Sequence, residues 1–291
     1  MNDVMIATDK ELNAAIRAVL AAGTEILEVY ARDFGVVEKD DRSPLTEADT
    51  RGHAAIVRVL AEATPDVPIL SEEGAAISYA DRRGWSRYWL VDPLDGTKEF
   101  IKKNDEFTVN VALMHADGDR VSPIAGVVFV PATDTLYVGV VGRGAWRLAA
   151  GELSHVTFEH VVSHGMPLPH PGTRANRPYT IVASRSHMSP ETQAFVEERR
   201  GSYPDLQLIS AGSSIKICRV AEGTADEYPR FAPTMEWDTA AGDAVARAAG
   251  CEVLRWDAET NAPAGLLEYN KPDLHNAWFL VRRTVDTHQG N

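Results

Sequence analysis

The chain has 291 residues, enough to bury a substantial core in one large domain or two interleaved ones. With 44% hydrophobic and 24% charged residues it is compositionally an ordinary globular protein, which excludes collagen-like, disordered and disulfide-scaffold classes. A net charge of −13 opposes a role in gripping DNA or RNA, whose phosphates are held mainly by Lys and Arg; an acidic protein can still bind a small anion where cations reverse the sign locally.

The longest apolar stretches, such as Ala18 to Gly23, fall short of the roughly 20 residues that span a bilayer, so no transmembrane segment is expected. Asp3, Asp9 and Glu11 stand where a secretory signal would be basic. Cys218 and Cys251 have no metal-like spacing and fit a reducing compartment, so a cytoplasmic location is expected.

In chain order, Ile16, Val19, Leu20, Leu27 and Tyr30 recur at helical spacing and predict an amphipathic helix over roughly residues 9 to 32. A second helix is expected from about Glu47 to Ala63, capped by Thr46 and ended by Thr64-Pro65. Arg87 to Val91 reads as a strand running into Asp92, followed by a loop that opens a helix near Thr97 to Lys103. Phe107 to Leu113, Ile124 to Val130 and Thr135 to Val141 predict successive strands of a mostly antiparallel sheet. Gly139, Gly142 and Gly144 have the order G-x-x-G-x-G between strands, which fits a hairpin and not a dinucleotide loop.

From Val161 to Pro178, prolines at 167, 169, 171 and 178 are expected to break regular structure, and the junction between two domains is placed there. The expected units are 1–162, α+β, and 179–291, α/β, joined by a Pro-rich connection over 163–178. Beyond it, strands at Thr180 to Ala183, Leu206 to Ile209 and Glu227 to Phe231 alternate with helices from Pro190, about Ser214 and Thr239, with Gly201, Gly223 and Gly250 where helix C-caps are wanted.

The chemistry gathers around Asp92-Pro93-Leu94-Asp95-Gly96-Thr97. Read alone, Asp-Pro-x-Asp-Gly is a turn followed by a helix cap. Alternatively, the stiffened loop aims both carboxylates and the Leu94 carbonyl at one hard cation, while backbone N–H groups at Gly96 and Thr97 offer a helix N-terminus to a phosphate. Each outlying acid is ambiguous by itself. Glu72 and Glu73 form either a solvated turn or a ligand at a strand end, Asp238 either an N-cap or a ligand, and Asp49 either completes a capping box with Thr46 or joins the site. Together they point to metal-assisted phosphoryl transfer. The nine histidines show no paired zinc spacing, and no zinc site is expected.

The ordered set Glu72-Glu73, Asp92 to Thr97 and Trp237-Asp238-Thr239-Ala240-Ala241-Gly242 resembles the inositol monophosphatase superfamily of lithium-sensitive, magnesium-dependent phosphatases over nearly the whole chain. Within it, Trp89 to Phe100, Glu106 to Asn110, Ser184-Arg185-Ser186-His187, Gly212 to Lys216 and Tyr228 to Phe231 are similar to segments of the CysQ-type 3′(2′),5′-bisphosphate nucleotidases. The resemblance implies a layered α-β-α-β-α sandwich of the sugar-phosphatase type and two or three Mg²⁺ ions ligated by Glu72, Asp92, the Leu94 carbonyl, Asp95 and Asp238. It also implies a water-orienting pair of Asp49 and Thr97, with Glu73 supporting it. It places Gly96, Thr97, His187, Ser213, Lys216 and Arg230 around the substrate, a small phosphate ester. The expected reaction is hydrolysis of the 3′-phosphate of adenosine 3′,5′-bisphosphate, with the sulfated analogue as a further substrate. The alternatives are an inositol monophosphate or fructose 1,6-bisphosphate phosphatase, against which Lys98-Glu99-Phe100 argues, and a non-catalytic metal- or nucleotide-binding protein. Stretches 164–178 and 257–265 look longer than in the family and are expected to be loops, either of which could border the substrate cleft. A homodimer is one oligomeric state open to the chain.

Overall fold

A computed structural model describes residues 6–38, 44–149, 155–170, 172–173, 177–184 and 188–284. Helix α1 (Asp9–Tyr30) is closed at its start by a reciprocal cap, in which Thr8 N donates to Glu11 Oε2 at 2.8 Å and Glu11 N to Thr8 Oγ1 at 3.3 Å. It buries Leu12, Ile16, Val19, Ile26 and Val29, whereas Leu27, expected on the same face, is exposed. After a short hairpin of β1 (Val36–Glu38) and β2 (Pro44–Thr46), helix α2 (Glu47–Ala63) packs against α1.

Then follow β3 (Ile69–Ser71), α3 (Tyr79–Arg82), β4 (Arg87–Asp95), α4 (Thr97–Ile101), β5 (Thr108–Asp117), β6 (Arg120–Val130), β7 (Thr135–Val140), β8 (Gly144–Ala149), α5 (Phe158–His164) and β9 (Met166–Leu168). Strands β3 to β9 make a seven-stranded sheet in sequence order, antiparallel except for the β3–β4 pair. The stretch expected to lack regular structure thus contributes the end of α5 and one strand. β9 lies at the sheet edge, where Pro167 has no second neighbour to which it would owe an N–H.

Both faces of this sheet are covered, which is why its strands read as nearly unbroken apolar runs. Val109, Val111, Val127 and Val138 face α1 and α2, while Ala112, Met114, Val128 and Tyr137 face the opposite side. On that side lies α8 (Glu236–Ala248), so close that a Cβ at Gly126 would stand 2.2 Å from the Ala241 carbonyl oxygen.

The remaining elements are β10 (Thr180–Ser184), α6 (Pro190–Ser202), β11 (Gln207–Ala211), α7 (Ile215–Glu222), β12 (Glu227–Arg230), β13 (Cys251–Asp257), β14 (Ala262–Leu266) and β15 (Phe279–Arg283). They form a six-stranded sheet of order β11-β10-β12-β15-β13-β14, parallel on the β11-β10-β12 side and antiparallel beyond it. α7 packs on α8, β10, β12 and β15, so the two helices separate the sheets. α6 closes the outer face through Phe195 and Val196 against Ile181, Phe231 and Trp256. The result is the expected α-β-α-β-α sandwich.

Several local expectations are corrected. β4 does not stop at Val91 but runs through Asp95 with an irregular register between Asp92 and Asp95, which face Asn110 and Thr108. α8 begins at Glu236, so Asp238 is the third helical residue and not the N-cap, which is Met235. Gly201 lies inside α6, which is capped by Tyr203; Gly223 and Gly250 do adopt left-handed backbone after their helices. Residues 257–265 are the turn and strand of the β13–β14 hairpin and do not line the cleft described below.

Candidate active site

The irregular stretch of β4 is the centre of the site. Its backbone has to leave flat pairing here, because Asp92 and Asp95, three positions apart, oppose Asn110 and Thr108 on β5, which are only two apart. Asp92 is buried, and Leu94 N donates to its Oδ1 at 3.0 Å. β3 runs parallel to β4, and Glu72 N donates to the Val91 carbonyl at 3.1 Å, which brings Glu72 beside Asp92. From the other side, the first turn of α8 brings Asp238. One oxygen each from Glu72, Asp92 and Asp238 lies within 4.8 Å of the others. Burial and the neighbouring Glu72, Asp95 and Asp238 charges push the Asp92 carboxyl well above the usual range; burial and Asp95 do the same to Asp238.

Asp95 adjoins this group. Its carboxyl is raised by burial, an effect opposed by the Lys216 ammonium and the Ser214 hydroxyl. Ser214 Oγ lies 2.8 Å from Asp95 Oδ2, and Asn110 Nδ2 lies 3.0 Å from that hydroxyl. Neither Ser214 nor Asn110 was singled out from the sequence. A buried Asn within the apolar run Val109 to Met114 was the available signal, since a polar group there needs a partner.

Asp49, the third residue of α2, accepts from Thr46 N and Thr46 Oγ1, both at 2.7 Å, through Oδ2, and from Thr97 Oγ1 at 3.2 Å through Oδ1. It is therefore both the capping-box residue and the partner of Thr97, whose hydroxyl also lies 3.4 Å from the Leu94 carbonyl. Gly96 precedes α4 in left-handed backbone, φ 93°, which a side chain would strain. Glu73 does not join the three-carboxylate group; its charge acts on His53, whose ring contacts Ser71 Oγ at 2.9 Å.

A cleft is lined by Asp95, Gly96, Ser213, Lys216, Arg230 and Asp238, among others including Tyr228 and Thr239. Asp238 belongs to both cleft and carboxylate group, so the acids open onto the cleft. Lys216 is buried, donates to the Ser213 carbonyl at 2.7 Å, and has its pKa pushed down to about 8 by burial, against the pull of Asp95. Arg230 donates to the Pro233 carbonyl at 3.0 Å. His187 lies outside the described residues.

The donor set is made of hard oxygens, the type that suits Mg²⁺. Buried carboxylates that raise one another's pKa form an anionic pocket that a divalent cation relieves, so the residues present fit such an ion. Among the described residues, no helix is long and apolar enough to cross a membrane.

Comparison with known proteins agrees with this architecture. The CysQ 3′(2′),5′-bisphosphate nucleotidase of Escherichia coli O157:H7 is 44% identical over 237 residues, covering 81% of this chain and 86% of that protein. Its counterpart in Buchnera aphidicola is 36% identical over 85% of each chain. The crystal structure of CysQ from Bacteroides thetaiotaomicron superposes with a TM-score of 0.82 at 48% identity, covering 94% of this chain and 97% of that one. The model of the inositol monophosphatase family matches residues 8–284. With a family match over that span, and a cluster of acids gathered at the end of β3, on β4 and in the first turn of α8, this chain belongs to the inositol monophosphatase family of phosphatases.

Proposed function

We propose that the chain is a magnesium-dependent phosphatase that removes the 3′-phosphate of adenosine 3′,5′-bisphosphate to give AMP, and that it also accepts the sulfated analogue. One observation carries this reading: a carboxylate group fit for cations and two basic side chains, Lys216 and Arg230, meet on one cleft. That pairing suits a substrate with two anionic groups, one held through cations and the other by Lys and Arg directly. The name borne by relatives at 36% to 44% identity agrees with it.

In this reading Glu72, Asp92, Asp95, Asp238 and the Leu94 carbonyl would hold two or three Mg²⁺ ions. Bound there, Mg²⁺ would lower the pKa of water and offset charge building on the phosphoryl oxygens. The Thr97 hydroxyl donates to Asp49 and so turns its lone pairs outward, where they can accept from the attacking water and hold it in line. Asp49, with its other oxygen fixed by Thr46, keeps that hydroxyl from rotating. Water oxygen bonds to phosphorus as the bond to the ribose 3′ oxygen breaks; the water gives up one proton toward the Thr97–Asp49 pair, and the departing 3′ oxygen takes up one from solvent water, so that protons and charge balance. Backbone N–H groups at Gly96 and Thr97 favour the transferred phosphate, while Ser213, Lys216 and Arg230 bind the other end of the nucleotide.

The test is Mg²⁺-dependent phosphate release from adenosine 3′,5′-bisphosphate, inositol 1-phosphate and fructose 1,6-bisphosphate in parallel, with Asp95→Asn as the background. Preference for the nucleotide is expected. Preference for either sugar phosphate would remove the roles given to Lys216 and Arg230, and metal-dependent release from none of them would leave a binding protein.

A further inference from the structure

Ser214 sits at a junction that the metal and substrate roles do not explain. It is the N-cap residue of α7 and 2% exposed. Within reach of its single hydroxyl proton are two acceptors, Asp95 Oδ2 at 2.8 Å and the Asp238 carbonyl oxygen at 2.7 Å. The same oxygen accepts from Asn110 Nδ2 at 3.0 Å, and that amide also lies 3.4 Å from Asp95 Oδ2. One side chain therefore joins four segments: α7, the irregular stretch of β4, the start of β5 and the first turn of α8.

A capping serine ordinarily spends its side chain on the backbone N–H groups of its own helix. Ser214 makes no such bond. Its hydroxyl is turned instead toward two residues that come from different sheets' helices and strands and that must keep a fixed separation if both are to reach cations. Asn110 is buried in an apolar strand, where an amide nitrogen needs acceptors, and this one lies against the Ser214 hydroxyl and the Asp95 carboxylate. The Ser214 hydroxyl and the Asn110 amide both approach Asp95 at Oδ2, and the backbone of Ser214 adds a hydrogen bond to the same carboxylate, so α7 and β5 hold it from two directions.

We propose that Ser214, supported by Asn110, is a positioning residue: it sets the spacing of Asp95 and Asp238 and so tunes cation affinity, while substrate binding at saturating cation depends on its neighbours Ser213 and Lys216. This rests on Asp95 and Asp238 holding the cation.

Mn²⁺ binding to the metal-free protein, followed by the electron paramagnetic resonance of the free ion, tests it without turnover. The proteins compared are wild type, Ser214→Ala, Asn110→Ala, the double variant and Asp95→Asn. Ser214→Ala is expected to weaken Mn²⁺ binding about tenfold, as loss of one hydrogen bond to a charged group does. Asn110→Ala should weaken it less, and the double variant by less than the product of the two, because both act through one oxygen. In turnover, Ser214→Ala should lower kcat and raise the Mg²⁺ needed for half-activity, with KM for the nucleotide at saturating Mg²⁺ within about twofold of wild type. Wild-type Mn²⁺ affinity in Ser214→Ala, alongside weakened binding in Asp95→Asn, overturns the positioning role and leaves the metal site standing. Unchanged binding in Asp95→Asn overturns both. Should Ser214→Ala fail to fold, judged by metal-free melting, Asn110→Ala decides: wild-type affinity there refutes the proposal.

Discussion

Replacing Asp92 by Asn should stabilise the metal-free protein, although it removes a central residue of the site. Oxygens of Glu72, Asp92 and Asp238 lie within 4.8 Å of one another. Like charges at that separation repel by roughly 3–4 kcal/mol per pair at an effective dielectric of about 20, and Asp92 takes part in two such pairs. Protonation absorbs part of this, because burial and the neighbouring acids push the Asp92 and Asp238 carboxyls well above the usual range. Asparagine keeps the shape and can still accept from Leu94 N. A net gain of about 2–3 kcal/mol at pH 8 is expected, or about 3–5 °C in Tm for a chain of this size. The sign with pH follows from raised folded-state pKa values. The folded acids hold more protons than the unfolded ones, so their contribution to stability is fully present below the unfolded value of about 4 and is lost as pH rises through the folded values. The advantage of Asp92→Asn should therefore grow from pH 5 to pH 8. Mg²⁺ at a hundred times its Kd would add about 2.7 kcal/mol to wild type and close the gap, while the variant gains little. Thermal unfolding in EDTA and in Mg²⁺ at both pH values measures all of this. A variant no more stable than wild type in EDTA at pH 8 refutes the reasoning.

Thr97→Val keeps the shape of the side chain but removes the hydroxyl held by Asp49; kcat should fall by about 10²- to 10⁴-fold with Mg²⁺-induced thermal stabilisation intact, and parallel loss of both would show a binding role instead. Lys216→Ala should raise KM for adenosine 3′,5′-bisphosphate more than for a simple phosphate ester, as initial rates on the two would show. Because burial brings Lys216 down to about 8, its charge is present below that pH and lost above it. KM for the nucleotide should thus rise above about pH 8 in wild type and stay flat in Lys216→Met. Gly126→Ala drives a methyl group into the α8 backbone at Ala241. It should cost about 1–3 kcal/mol by urea denaturation, and also raise the Mg²⁺ needed for half-activity, because α8 carries Asp238.

Long helices and the middle strands were legible because their signals are local. Thr46 and Thr64 mark the ends of α2 in the sequence and in the structure alike. The bounds of β4 were not legible, since Asp-Pro-Leu-Asp looks like a turn until β5 supplies Asn110 and Thr108 as partners, a fact of tertiary pairing. Strands β13 to β15 went unread; Cys251 to Asp257 alternates only loosely and is defined by its neighbours β14 and β15. For the acids, the sequence posed a choice between cap and functional residue that the folded chain does not make. Asp49 caps α2 with one oxygen and meets the Thr97 hydroxyl with the other, and so the capping signal could not argue against a place in the site. Ser214 was hidden for the opposite reason: it occupies a cap position without capping.

The four aspartates share a further property. Each has one oxygen anchored by a donor of the fold and the other outside that anchor: Asp49 Oδ2 by Thr46, Asp92 Oδ1 by Leu94 N, Asp95 Oδ2 by Ser214, and Asp238 Oδ2 by Met235 N at 2.9 Å. Asp49 and Asp238 are each the third residue of a helix, and those helices cover opposite faces of the seven-stranded sheet, so their N-termini converge on the irregular end of β4 from two sides. A carboxylate so held has lost its freedom to swivel, and for Asp92, Asp95 and Asp238 this would lower the entropic cost of binding a cation in the role proposed for them. The anchors also lower the cost of bringing these acids together, because part of each group's need for donors is met by the backbone or a hydroxyl. Asparagine can retain such an anchor while losing the charge, whereas alanine loses both. Comparing the two replacements at one position therefore separates what the fold requires of that aspartate from what the cation requires of it.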